Sequence, residues 1–233
     1  MNGLKKAQGG LLIRHTWIPG EILKRFFEVL REDGLTTLWY KVLGETFYRR
    51  MLMLECHIAE PPAHVTSAVP VSFHRLTSTD VDAYRSFRAR PGARELQRRL
   101  EEGERAFFAM NRGRMVCAVW ISHGTAWIDY LKRRIPLKAG EGYLYEAYTC
   151  PDFRGQGVGP ALFNFAYRTL RADGFRRILL AVNLESRAAR KAFGWSGERV
   201  FAKWGYLKMG PWHLDFSRRL SHGNPAALQT LDT

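Results

Sequence analysis

The tightest constraint in this chain is a run of six residues, Arg154-Gly155-Gln156-Gly157-Val158-Gly159, set between a strand-like segment and a helix-like one. Alternating glycines admit positive φ and let a ligand reach the backbone with no Cβ atoms in the way. At a helix start, such a loop turns unpaired N–H groups toward an anion, and the helix dipole adds to the attraction. Arg154 contributes a fixed positive charge suited to phosphate. The run therefore calls for a strand–turn–helix unit that grips a phosphate or pyrophosphate. It is not a Walker loop, because Gly159-Pro160-Ala161 stands where Gly-Lys-Ser/Thr is needed. Nor is it a Rossmann fingerprint, since Pro160 occupies the third glycine's place and the loop lies late in the chain.

The flanking patterns supply the rest of an α/β domain. "VSFHRL" reads as a strand, "STDVDAYRSFRA" as a helix capped by Ser78 or Asp80, and "RELQRRLEEG" as a helix ending at Gly103. "RAFFAMNRGRMVCAVWIS" is a hairpin turning at Asn111-Arg112-Gly113. "TAWIDYLKRRIPL" is read as extending that sheet, and "GYLYEAYTC" as the strand that feeds the loop. A helix from Val158 to Ala172 follows, then the buried strand "RRILLAVN", a short helix "SRAARKAF", and the strands "ERVFAKWGYLKM" and "WHLDFS". Ahead of all this, residues 1–60 read as a helical arm plus a strand, Met51–Ile58. Residues 61–70 read as a Pro-rich linker, 71–218 as the main domain and 219–233 as a polar tail.

At 233 residues and 46% hydrophobic, the chain has enough apolar material for one full core. No run approaches the ~20 apolar residues of a membrane span. Gly9-Gly10 and Arg14 break the segment after Lys5 and Lys6, which does not read as a signal peptide. Cys56, Cys117 and Cys150 are odd in number and widely spaced, as expected of reduced core thiols in a cytoplasmic protein. The seven histidines have no metal-ligand spacing, so no metal is expected. A net charge of +14 favours acidic partners, among them a phosphorylated cofactor, an acidic carrier protein or an anionic surface. Basic runs such as "LKRRIPLK" read as solvated faces, and nucleic acid is not expected as a partner.

The loop and its flanks resemble the signature of the GNAT superfamily of N-acyltransferases, Arg/Gln-x-x-Gly-x-Gly/Ala. "YEAYTCPDF" before it and "PALFNFAYRTLRADGFRRILLAVN" after it agree. "NLESRAARKAFGW" is similar to the family's Asn-x-x-Ser helix ending in Gly-Phe. The resemblance covers about Val71 to Ser217, and it implies a mixed, mostly antiparallel central sheet flanked by helices. It also implies that acyl-CoA is the phosphate ligand. Amides of Gln156, Gly157, Val158 and Gly159 then hold the diphosphate, with Gly155 shaping the turn and Arg154 alongside. The backbone of Tyr148, Thr149 and Cys150 pairs with the pantetheine arm, and Asn183 and Ser186 face that arm.

Acyl transfer from a thioester to an amine needs a route for the amine's proton, a donor for the oxyanion and a proton for the departing thiolate. Glu146 is the candidate base: a carboxylate in an aromatic strand, expected to be buried among Tyr143, Tyr145 and Tyr148 with its proton affinity raised. A structural ion pair with a nearby arginine is the alternative for Glu146. An N–H of Thr149 or a neighbour is the oxyanion donor that the family resemblance implies. Phe193 stands where many members place the tyrosine acid, leaving Tyr145, Tyr206 or solvent for that role. Trp204-Gly205-Tyr206 offers a rival register to Gly194-Trp195.

The expected activity is transfer of an acetyl or other acyl group from acyl-CoA to a primary amine of a small molecule by direct attack. The alternatives are a long-chain acyltransferase fed by an acyl carrier protein and a non-catalytic CoA-binding module. The amphipathic arm is read as packing on the domain or on a second subunit of a homodimer. Its alternative is a lid or dock for a larger donor, a carrier protein or the membrane surface.

Overall fold

The computed structural model describes residues 48–58, 65–184, 198–209 and 212–220. Residues 1–47 of the N-terminal arm, the expected "SRAARKAF" helix with Ser186 and Phe193, and residues 221–233 of the expected polar tail lie outside the described residues; Arg219 belongs to the last strand instead. In chain order the elements are β1 (Tyr48–His57), β2 (Ser72–Arg75), α1 (Val81–Phe87), α2 (Ala93–Glu101), β3 (Arg105–Asn111), β4 (Arg114–Ser122), β5 (Thr125–Ile128) and β6 (Arg133–Pro136). Then come β7 (Glu141–Thr149), α3 (Val158–Ala172), β8 (Arg177–Asn183), β9 (Arg199–Met209) and β10 (Trp212–Arg219). Eight of these strands form one sheet in the order β10-β9-β1-β8-β7-β4-β3-β2.

All neighbouring strands in that sheet run antiparallel except β7 and β8. Parallel neighbours cannot be joined by a tight turn, and α3 supplies the crossover. Its buried side, including Ala161, Leu162, Ala166 and Leu170, packs on Leu52, Leu54, Leu144, Ile178 and Leu180 of the sheet. Each such leucine or isoleucine removed from water contributes roughly 1.5–3 kcal/mol. The other face is covered in two parts. Helices α1 and α2 bring Tyr84 and Leu96 against Ala106, Phe108 and Trp120. Ile128, Leu131, Ile135 and Leu137 cover Met51, Met53, Tyr143 and Leu179.

Two sequence expectations need correction here. "TAWIDYLKRRIPL" does not extend the sheet: β5 and β6 pair only with each other and fold over its face. Helix α1 is not capped by a Ser78 or Asp80 side chain. The Asp80 carboxylate instead turns back to the backbone N–H of Thr77 at 2.8 Å and to its hydroxyl at 2.7 Å, forming a turn that precedes the helix.

One buried polar contact ties α1 to the sheet. The Trp120 indole N–H donates to the Tyr84 hydroxyl at 3.0 Å, with both side chains almost wholly excluded from solvent. Tyr84→Phe leaves that N–H without an acceptor. The expected loss is about 1–2 kcal/mol of stability, read by urea denaturation.

Candidate functional site

The glycine run folds as the sequence requires. Gly155 and Gly157 have φ of +73° and +75°, and α3 starts directly after Gly157. Arg154 N donates to Pro151 O, and Ala161 N donates to Gly157 O. Between those two, no backbone amide has an acceptor among the described residues, and Pro160 carries no N–H. The amides of Gly155, Gln156, Gly157, Val158 and Gly159 are thus a run of open donors at a helix N-terminus, the arrangement that suits an anion.

The loop is fastened from behind. The Ala68 N–H donates to the Gln156 carbonyl at 2.8 Å, and the Ser67 hydroxyl donates to the same oxygen at 3.3 Å. A Cβ on Gly157 would stand 3.0 Å from the Thr66 carbonyl oxygen, whereas one on Gly155 would meet nothing within 4 Å. The Arg154 guanidinium donates to Thr149 O at 3.2 Å and lies 5.9 Å from the Tyr148 ring centroid.

A wedge opens beside this nest. β7 and β8 pair only from Glu141↔Arg177 to Leu144↔Leu180. Beyond Leu144, β7 continues to Thr149 against β4, while β8 continues to Asn183 against β1. The cause is a bulge. The β4–β7 register shifts between Ala118↔Tyr148 and Trp120↔Tyr145, and Glu146 sits inside the shift with φ of +48°. A bulge bends its strand and increases the twist, which swings the end of β7 away from β8.

The ladder also settles which peptide groups face the wedge. Cys150 N donates to Val116 O, and Cys150 O accepts from Phe153 N. In an antiparallel pair, successive residues alternate between facing the partner and facing away. Tyr148, two residues back from Cys150 and opposite Ala118, therefore also turns its peptide groups to β4. Thr149 turns its own toward the wedge. Of the three backbone positions expected to meet the pantetheine arm, the geometry leaves the Thr149 N–H available, while the Thr149 carbonyl accepts from Arg154 and Tyr148 and Cys150 are engaged elsewhere.

On the sheet face carrying α2, the side chains near the bulge form a charged cluster. Glu146 is exposed rather than buried, contrary to the sequence expectation, because its bulged backbone stands proud of the strand. Both of its oxygens are taken by Arg99 of α2, at 3.0 and 3.1 Å. The Arg99 guanidinium also lies 5.3 Å from the Trp120 ring and 5.4 Å from the Tyr145 ring, and bonds to Glu95 at 3.0 Å. Lysine cannot reproduce the two-pronged contact, so Arg99→Lys is expected to cost about 1.5 kcal/mol, checked by denaturant unfolding.

Next to this pair the Tyr145 hydroxyl donates to the Glu104 carboxylate. Burial pushes the Glu104 pKa above the ordinary carboxyl range, and the Tyr145 hydrogen bond opposes the shift only in part. Burial, then Glu104, raises Tyr145 well above the usual phenol value. Sequence reading missed Glu104 and Arg99, which acquire their partners 41 and 47 residues away along the chain.

Other expected residues are placed apart. Tyr206 is buried on β9 beside Arg49, with β1 and β8 between its strand and β7. That is roughly 14 Å across the sheet at the usual strand spacing. Asn183 closes β8 on the far side of the wedge, opposite Met51. Among the described residues no cluster of His, Cys, Asp and Glu suits a metal ion. Burial pushes the Cys56 and Cys117 thiols up to about 12, so neither is a ready nucleophile.

The family model for the acetyltransferase (GNAT) family matches residues 73–195, about half of the chain. A GCN5-related N-acetyltransferase from Sphaerobacter thermophilus superposes with a TM-score of 0.51 at 16% identity, over 81% of this chain and 58% of that one. The GCN5-related glucosamine N-acetyltransferase region of a fungal multi-domain GH3 β-N-acetylglucosaminidase also gives 0.51, at 13% identity, over 79% of this chain and 23% of that one. The chain thus spans less than two thirds of either structure. No curated protein matches its sequence.

Proposed function

The chain belongs to the GNAT family of acetyltransferases, and on that premise we propose that it moves an acetyl or other acyl group from acyl-CoA to a primary amine of a small molecule. The observation that carries this reading is the wedge between β7 and β8 that ends on the open amides of residues 155–159. The diphosphate of the donor is held by those amides, helped by the α3 dipole. The pantetheine arm enters the wedge alongside Thr149, whose carbonyl already accepts from Arg154. The thioester then lies near the bulge, where the main-chain N–H of Thr149 serves the oxyanion.

The acceptor approaches from the face that carries Glu104, Tyr145, Glu146 and Arg99. Carboxylates there suit a cationic amine in a chain that is otherwise strongly basic. An alkylammonium must lose a proton before it attacks. Glu146 takes that proton only after releasing Arg99. The open route runs through Tyr145: its oxygen accepts a proton from the amine as its own proton passes to Glu104. The freed amine attacks the thioester carbon, the nitrogen gives its second proton to solvent, and the C–S bond breaks as the tetrahedral intermediate collapses. Solvent returns a proton to the thiolate.

The test is thiol release from acetyl-CoA against a panel of small amines, run beside native mass spectrometry. Acyl-CoA bound with thiol release dependent on amine supports the proposal. Acyl-CoA bound without turnover on any amine points to a binding module instead.

A further inference from the structure

A groove of about 660 Å³ runs beside the β5–β6 hairpin, away from the acyl-transfer cluster. Its basic lining is Arg133, Arg134, Lys138, Arg177, Arg199 and Arg219, against the carboxylates of Glu55 and Glu141. Both carboxylates are already committed: Arg177 bonds Glu55 at 2.8 Å and Glu141 at 2.7 Å. Among the described residues, no ion pair engages the other five cations. Like charges gathered in a concavity repel one another and focus a positive field into it, a cost that a bound anion relieves.

The site is partly preorganised. The Arg133 guanidinium is seated 5.1 Å from the Trp204 ring and that of Arg134 lies 5.9 Å from the Trp127 ring. Four of the five uncommitted cations are arginines, whose planar forks match the oxygens of a phosphate in pairs. Phe201, Trp204 and Leu179 give the groove an apolar floor. The registers fix where it lies. Arg199 is level with Glu55 and Leu179, and Trp204 is level with Met51 and Asn183, so the groove follows β9 along the face. Glu141 and Arg177 mark the end of β7 and β8 where they pair, opposite the end where they part. The volume falls in the usual range for small-ligand sites, about 300–1,000 Å³.

We propose that this groove is a second anion site that binds a small molecule bearing two or more phosphate groups, separate from the acyl-CoA loop. The proposal does not depend on the acyl-transfer reading. Its test is calorimetric titration of tripolyphosphate into the full chain with coenzyme A in excess, so that the loop amides are filled. Tripolyphosphate binds the parent, and Arg199→Glu with Arg219→Glu weakens it at least tenfold while acetyl-CoA affinity is unchanged. Gly157→Ala leaves tripolyphosphate binding intact. Arg133→Gln with Arg134→Gln gives a second, milder variant with the same expected loss should charge reversal prevent folding. Kinetics then separate two sources of the phosphate. Competition with the amine marks it as part of the acceptor, and a change in kcat without competition marks a separate effector. Failure of tripolyphosphate to bind the parent, or equal affinity in parent and groove variants, overturns the proposal.

Discussion

Gly157→Ala will weaken acetyl-CoA binding by about one to two orders of magnitude. A side chain at φ of +75° costs roughly 1–2 kcal/mol by itself, and each 1.4 kcal/mol is a factor of ten in affinity. The new methyl group also meets the Thr66 carbonyl, a backbone atom held in place by the neighbouring Ala68 contact to Gln156. The loop relieves both penalties by turning its amides out of the nest. Gly155→Ala carries the same conformational penalty but enters open space, so it is expected to lose only about tenfold. Calorimetry with acetyl-CoA, paired with melting temperatures, reads the two effects separately. An unchanged dissociation constant for Gly157→Ala removes the nest from the donor site.

Glu104→Gln will lower kcat/KM by about 10²- to 10⁴-fold, the usual worth of a positioned acid–base group. It should do so without loss of stability. Glu104 has a folded pKa raised above its unfolded value by burial, so its favourable contribution is complete below the ordinary carboxyl range near ~4.3 and is lost as pH climbs through the raised value. At neutral pH the charged, half-buried carboxylate is a burden on the fold. A neutral amide removes it and still accepts the Tyr145 hydrogen bond, so the melting temperature at pH 7 is expected to hold or rise. The pH–rate profile gives the decisive signature: an acid limb lying above the ordinary carboxyl range in the parent and absent in Glu104→Gln. Glu146→Gln, by contrast, breaks the bidentate contact with Arg99 and is expected to change stability more than the acid limb. If Glu104→Gln keeps its limb and most of its rate, the Tyr145 route is wrong and Glu146 regains the base role.

The loop was readable in advance because its chemistry is local. Glycine at φ-positive positions, an arginine and a helix start all lie within a few residues, and the structure assembles them in that order. The strand–helix–strand run from Glu141 to Asn183 was equally plain from its apolar periodicity. The acid–base cluster was not. "GYLYEAYTC" looks like an unbroken strand, and nothing in its letters says that Glu146 adopts a left-handed conformation. Nor does anything in "LEEGERAF" single out Glu104, whose burial depends on a tyrosine from another strand. The hairpin β5–β6 was misread because a two-residue alternation specifies a strand and not the sheet it joins.

The extra residue at Glu146 has one more effect, on the phase of its strand. Ahead of it, odd-numbered Tyr143 and Tyr145 face the hairpin and α2, while Leu144 faces α3. Past it the parity inverts: Tyr148 meets Phe87 of α1, and Thr149 meets Cys117 on the α3 side. Excising a single residue there would restore uniform alternation with Tyr148 still opposite Ala118 and Thr149 still opposite Cys117, so each would keep the side it has now. What such a deletion takes away is the bend, so a one-residue shortening is expected to leave the packing of both faces in place and bring β7 back alongside β8.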